Sequence, residues 1–226
     1  MKPRRRLLTG AATVIAAAAH APCVPLPAAF AQSVPALHRG TDYRLLDPAQ
    51  PAPADRLQVL EFFYYGCPFC HQLEPLLVDW LQRQPADVVF DRVPVIGRDA
   101  WVPLARLYYT LGAVGALAGH HAAVYRALHD EGVPLAQPDT AADWAARRGL
   151  DRSRFIAAWR SAEVEANVLR ARRMSDDYDI QATPSMVIDG RLLTSSGLTN
   201  GVPALLPMVN RLIVLARAER ARAKAA

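Results

Sequence analysis

Cysteine is scarce in this chain, with three in 226 residues. That rules out a disulfide framework of the kind that holds small secreted domains together. It also leaves too few thiolates for a Cys-rich zinc site. Charge of one sign is missing as well. The formal net charge is +5, but Lys2, Arg4, Arg5 and Arg6 lie in the first 31 residues, which hold no acid. Without those four cations the remainder carries +1, so there is no electrostatic case for nucleic-acid binding. Long apolar runs are absent too. The longest candidate, "LLTGAATVIAAAA", is too short and too alanine-rich for a membrane span. No internal repeat occurs, and low complexity is confined to the alanine-rich ends. What the chain does have is hydrophobic residues, at 52%, enough for a sizeable core and against disorder as a whole-chain reading.

Residues 1–31 read as a signal peptide. Lys2 to Arg6 form a basic n-region, the alanine-rich stretch follows, and "AFAQ" offers a small-x-small cleavage site between Ala31 and Gln32. The run Arg4-Arg5-Arg6-Leu7-Leu8 also permits twin-arginine export, with an ordinary Sec signal preferred. Cys23 follows Pro22 rather than the small residue that precedes a lipidated cysteine, so it is expected to leave with the signal. Two cysteines then remain, Cys67 and Cys70, in an oxidising compartment.

Residues 32–55 are rich in Pro and Ala and predict an extended arm with one short strand around Tyr43 to Leu46. "LQVLEFFYY" (57–65) predicts a buried strand that contains a single charge, Glu61. A helix is expected from Pro68, where the missing N–H of proline costs nothing. Leu73, Leu76, Leu77, Trp80 and Leu81 recur at helical spacing, and Pro75 should kink it. "DVVFDRVPV" (87–95) is a second strand. From about Ala100 to Tyr178 the pattern is helical, punctuated by glycines and Pro134. "SMVIDGRLLTSS" predicts two strands joined at Asp189-Gly190. A last helix is expected to be capped near Thr199 or Asn200. Its basic end, with Arg211, Arg217, Arg220, Arg222 and Lys224, reads as a solvated face in preference to a lipid contact.

The order strand, helix, strand, helices, hairpin, helix is that of an α/β chain: a thioredoxin fold with an inserted α-helical domain. The expected division is a first thioredoxin-like part at 56–98, the helical insert at 99–177 and a second thioredoxin-like part at 178–226.

In this plan Cys67 and Cys70 lie at a strand-to-helix junction. The first cysteine of such a pair sits beside unpaired backbone N–H groups at the positive end of the helix dipole. Its thiolate is stabilised there, and its pKa should fall to roughly 4 to 6. Cys70, one turn further in, is suited to resolve mixed disulfides. Two rival readings exist. A structural clip would stabilise little across so short a loop. A metal site would need His71 and another ligand among His38, His120, His121 and His129, where a packed or solvated histidine is the commoner case. The redox reading is preferred.

"VLEFFYYGCPFC", "RVPV", "VPLARLYYTLGAVG" and "ATPSMVIDG" together resemble the DsbA family of periplasmic thiol–disulfide oxidoreductases, over residues 40 to 215. The resemblance implies that Thr183-Pro184 is a cis-proline loop that turns the Thr183 backbone toward Cys67. It implies that Glu61 is the buried acid that moves protons for Cys70. It implies no metal and no organic cofactor. The expected partners are unfolded exported proteins with free cysteines and a DsbB-like membrane protein for reoxidation, with the chain a monomer in the periplasm. Pro68 and Phe69 fill the space between the cysteines. Phe69 departs from the family pattern, which has His there to stabilise the thiolate by charge. Tyr65 and Phe69 are expected to edge a peptide groove, the rest of the aromatic run being core. The rival functions are a reductase or isomerase of the same fold and a peptide-binding chaperone.

Overall fold

A computed structural model of the protein describes residues 36–225. The signal peptide, its cleavage site, Cys23 and the start of the arm lie outside the described residues. One five-stranded sheet forms the centre, built from β1 (Arg44–Leu45), β2 (Leu57–Phe63), β3 (Val88–Pro94), β4 (Ser185–Ile188) and β5 (Leu192–Ser195), in the order β1-β5-β4-β2-β3. β2 and β3 run parallel, with Glu61 paired to Arg92, while the other neighbours are antiparallel. The parallel pair needs a crossover, which is α1 (Pro68–Leu81).

α1 is amphipathic as expected, but not with the expected face. Leu73, Leu77 and Trp80 are buried, whereas Leu76 is 44% exposed and Glu74 points inward at 5%. The buried stripe follows positions i, i+4 and i+7 from Leu73. Leu76 falls at its edge, and Glu74 turns inward to meet Arg92.

Five helices follow a short 3-10 turn at Asp99–Trp101: α2 (Val102–Ala113), α3 (Leu117–His129), α4 (Pro138–Ala146), α5 (Arg152–Trp159) and α6 (Ala162–Asp177). Local capping explains two of the starts. The Asp151 carboxylate accepts from the Arg154 N–H at 2.7 Å, and the Ser161 hydroxyl accepts from the Val164 N–H at 3.2 Å. These helices enclose a core of their own around Leu107, Leu111, Trp144 and Phe155, and this core also takes in Phe63, Tyr65 and Cys70. The two faces of the sheet carry separate cores. One packs on α1 and the C-terminal helix, the other on Val164, Val168 and Ala171 of α6. The CxxC helix start therefore lies where the sheet meets the helical layer.

The hairpin forms at Asp189-Gly190, with both residues at positive φ (56° and 64°), as a tight hairpin turn requires. Gly190 has a second reason to lack a side chain: a Cβ there would lie 2.1 Å from the Gln50 carbonyl oxygen of the arm. The last helix, α7 (Val202–Ala225), starts after Gly201, not at a Thr199 or Asn200 cap. The Thr199 hydroxyl is turned instead onto the carbonyls of Ser195 and Gly201, at 3.2 and 2.9 Å. The basic end of α7 also differs from a uniformly solvated face. Arg217 forks onto Asp87, and Arg220 bonds Asp189 and the carbonyls of Pro53 and Ala54. Arg220 thus ties arm, hairpin and C-terminal helix together, and Arg217 fastens the same helix to the segment before β3. Among the described residues no helix is long and apolar enough to cross a membrane.

Candidate active site

Cys67 occupies the N-cap of α1, with extended backbone (φ −90°, ψ 120°) and Pro68 as the first helical residue. Its carbonyl accepts the first helical bonds, from the N–H groups of Cys70 and His71. Its sulfur faces the open end of the helix, where donors have no intrahelical partner. The thiol is lowered to about 5. The leading cause is a hydrogen bond from the Cys70 thiol; the Thr183 side chain and the N–H groups of Cys70 and Phe69 add to it, and partial burial opposes. When protonated, Sγ donates to the Thr183 carbonyl at 3.3 Å. Cys70 behaves oppositely. It is 1% exposed, and burial pushes its thiol well up, helped by its bond to Cys67 and the nearby charges of Cys67 and Glu61. One sulfur is thus a thiolate at neutral pH and the other a thiol. Both are free.

Thr183-Pro184 is cis, as the resemblance implies; a second cis bond, Asp47-Pro48, was not anticipated. Phe69 stands at the surface, 52% exposed, beside the pair. Tyr65 does not edge a groove. It is 1% exposed, its hydroxyl is 2.7 Å from His121 Nδ1, and its backbone carbonyl accepts from His129 Nε2 at 2.7 Å. An aromatic side chain three residues before the start of α1 faces the helical core here, because α3 closes over it. Tyr64 is the ring at the rim. It stacks on Trp101 (centroids 4.2 Å apart, 11° between planes). Gly66 permits this, since a Cβ there would meet the Tyr64 ring at 2.5 Å.

Glu61 is buried at 1% exposure and belongs to a chain of polar groups. Arg92 donates from Nε to Glu61 (2.9 Å) and from a terminal nitrogen to Glu74 (3.0 Å). His121 Nε2 lies 3.4 Å from the Glu74 carboxylate, without the alignment of a hydrogen bond. One guanidinium faces two buried carboxylates. Burial raises Glu61 to about 7 and Glu74 adds to the rise, while Arg92 opposes it. His121 is pushed down, chiefly by burial, against the pull of Glu74. Of this chain only Glu61 is evident as a candidate in the sequence. Arg92 carries no such signal in the sequence: it meets Glu61 because parallel pairing of β2 and β3 puts the two in register.

The histidines of the rival metal reading are engaged elsewhere. His71 faces Asp130 at 3.3 Å and stacks on His129, His120 bonds the Ala116 carbonyl, and His38 lies 3.7 Å from Asp42. Among the described residues no group of three or more His, Cys, Asp or Glu converges on a metal-sized site.

Comparison with known proteins agrees with this geometry. Residues 98–202 match the DSBA-like thioredoxin domain family. The thiol:disulfide interchange protein DsbA of Burkholderia cepacia is 34% identical, over 83% of this chain and 90% of its own. That of Bordetella parapertussis is 37% identical over 74% and 81%. Among solved structures, Pseudomonas aeruginosa DsbA aligns at a TM-score of 0.76 and 32% identity, over 82% of this chain and 95% of that one. The oxidoreductase DsbA from Xylella fastidiosa aligns at 0.75 and 30%, over 80% and 98%. With identity at this level spanning most of each relative, and with a CxxC pair on the N-terminus of α1 opposite a cis-proline, the chain belongs to the DsbA family of thiol–disulfide oxidoreductases.

Proposed function

We propose that this enzyme donates disulfide bonds to newly exported, unfolded proteins in the periplasm through the Cys67–Cys70 couple. The observation that carries the direction is the asymmetry of the pair. Cys67, at the helix N-cap, is lowered to about 5, so the reduced enzyme is stabilised as a thiolate. What stabilises the reduced form makes the disulfide easier to give away.

In the oxidised enzyme a substrate thiolate attacks Cys67 Sγ and breaks the bond to Cys70. Cys70 leaves as a buried thiolate and takes up a proton. Glu61, raised to about 7 within the Arg92–Glu74 cluster, is the acid suited to supply it. A second substrate thiolate then attacks the substrate sulfur of the mixed disulfide and releases Cys67 as a thiolate. The substrate loses two electrons and two protons, and the pair gains the two electrons. Thr183 and Pro184 border the sulfur where the substrate chain must lie, Pro68 opens the helix without needing a donor, and Phe69 offers it an apolar contact. Reoxidation by a DsbB-like membrane partner returns the enzyme to its starting state. No nucleic acid, metal or organic cofactor enters the cycle, and the enzyme works as a monomer.

A reductase or isomerase on the same scaffold is the second reading, because a threonine before the cis-proline is compatible with either. Equilibration against glutathione separates a donor from a reductase. A donor should lie well above the about −270 mV of thioredoxin-type reductants, at roughly −200 mV or higher. Cys70→Ser should accumulate mixed disulfides with exported proteins, while Cys67→Ser traps none. A potential near the thioredoxin value, or no trapping by either variant, would defeat the donor reading.

A further inference from the structure

His121 of α3 has no part in the exchange described above, yet it is one of the most enclosed polar groups in the protein. It is 4% exposed and boxed by the rings of Phe63, Tyr65, Tyr108 and Tyr125, with centroids 5.1 to 5.9 Å away. We propose that His121 is a positioning residue for the thiol exchange: its imidazole takes up a proton when Glu61 gives its own to Cys70, and so keeps the buried cluster neutral. This rests on the role proposed above for Glu61 and adds the group that balances the charge Glu61 is left with.

Both ring nitrogens face polar groups. Nδ1 is 2.7 Å from the Tyr65 hydroxyl, which can donate to a bare nitrogen or accept from a protonated one. Nε2 is 3.4 Å from the Glu74 carboxylate and makes no hydrogen bond among the described residues. A buried polar nitrogen without a partner costs stability, and a phenylalanine in the same ring box would not incur that cost. The missing bond is one that the charged ring makes. An imidazolium carries hydrogen on both nitrogens, so it donates to the Tyr65 oxygen on one side and to a carboxylate on the other.

Charge counting supplies the occasion. Below about pH 7 Glu61 holds its proton, and Arg92 and Glu74 cancel. Proton transfer then turns the Glu61 carboxyl and the Cys70 thiolate into a Glu61 carboxylate and a Cys70 thiol. Two buried carboxylates now share one guanidinium, and the cluster is left with an uncompensated negative charge, which is costly away from water. The ionisable groups around His121 are Tyr65, Glu74 of α1, Arg92 of β3, Tyr108 of α2 and Tyr125 of α3 itself, with Glu61 of β2 reached through Arg92. The tyrosines can gain only negative charge, and Arg92 is already a cation. His121 is the one base in the group that can become a cation in place. In the resting cluster burial and Arg92 hold its charge off while Glu74 favours it; a second carboxylate shifts that balance toward the imidazolium. The proton comes from solvent. Glu74 also lines a cleft of about 590 Å³ between α1 and α3, roomy for waters of about 30 Å³ each. A hydronium ion that gives up its proton along Glu74 becomes water, and the proton lands on Nε2.

The first test is an NMR titration of the His121 ring in the oxidised enzyme, assigned through the backbone of α3. The wild-type ring should titrate in two phases, the upper one near the pH of about 7 at which Glu61 ionises. Glu61→Gln should abolish the upper phase and lower the overall midpoint by about half a unit or more, toward the small end of what an opposite charge supplies. This variant leaves the ring in place, so the result does not depend on how substitutions of His121 fold. The second test is the rate at which excess dithiothreitol reduces the oxidised enzyme. His121→Phe keeps the ring packing, and His121→Asn keeps an acceptor for the Tyr65 hydroxyl. Both should slow reduction about threefold or more, a small part of what a positioned acid contributes. Their potentials against glutathione should stay at the wild-type value, because Glu61 has its proton back once reduction is complete. A single phase that Glu61→Gln leaves unmoved overturns the inference, and so do wild-type rates in both variants. A slowed rate with a displaced potential overturns it too, since that is the mark of a merely structural residue. The titration uses no substrate, so a potential near that of thioredoxin with a two-phase ring defeats the donor reading alone.

Discussion

Replacing Arg92 with Met tests the buried charge cluster most directly. The methionine keeps most of the side-chain volume and removes the cation that bridges two carboxylates whose side chains are 1% and 7% exposed. Removing one partner of a buried ion pair costs about 3–5 kcal/mol, because the remaining charge is left without compensation. The loss should depend on pH, and its sign follows from Glu61. The folded-state value of about 7 lies above the ordinary 4.5, so between these pH values the folded protein holds a proton that the unfolded chain has released. That linkage makes stability fall as pH rises through the window, by up to roughly 3 kcal/mol in all, and acidification restores it. Near pH 8 Glu61 is charged in the wild type, and Arg92→Met leaves it either an unpaired buried carboxylate or, because Arg92 no longer holds its pKa down, a carboxyl that must take up a proton. Near pH 5 Glu61 is neutral and only Glu74 has lost a charged partner. Urea unfolding of the oxidised protein should therefore show a loss of about 3–5 kcal/mol at pH 8 and roughly half of that at pH 5. Using the oxidised form removes the Cys67 thiolate, which has the opposite sign. Adding Glu61→Gln to Arg92→Met should recover stability at pH 8 and little at pH 5. A loss under 1 kcal/mol at pH 8, or an equal loss at both pH values, would refute the cluster as drawn.

Cys67 in the reduced enzyme should alkylate at mildly acidic pH, with a midpoint near 5, while Cys70 stays protected until the protein unfolds; equal reactivity of both thiols near pH 8.5 would contradict the helix N-cap geometry. Because one sulfur is then already deprotonated, reduction above pH 5 takes up one proton for two electrons. The potential should fall by about 30 mV per pH unit, not by the about 59 mV of an ordinary dithiol, and potentiometry across pH 5.5 to 8 distinguishes the two. Phe69→His should make the couple more oxidising, by roughly 10–30 mV, the equivalent of one net hydrogen bond to the thiolate in a half-exposed setting. An unchanged or more reducing potential against glutathione would mean that residue 69 turns away from the sulfur.

The sequence alone determined the order of elements, the strand-to-helix junction under the CxxC and the hairpin at Asp189-Gly190. Each rests on local chemistry: apolar period, proline at a helix start, glycine in a turn. The low pKa of Cys67 was legible for the same reason, since a CxxC at a helix start brings its main donors with it, the Cys70 thiol first and the N–H groups of Cys70 and Phe69 after it. The partners of Glu61 were not legible. Glu61 and Arg92 are 31 residues apart and meet only because parallel pairing of β2 and β3 puts them in register. Glu74 lies next to Leu73 on α1, and only packing decides that it turns inward to Arg92. Tyr65 and Tyr64 show the same division. Both are aromatic and adjacent, just past β2 where the chain turns toward α1 and the Cys67 N–H bonds back to the Tyr64 carbonyl. Only the position of α3 decided that Tyr65 would be buried against His121, and only the position of α2 decided that Tyr64 would lie on Trp101 at the rim of the site.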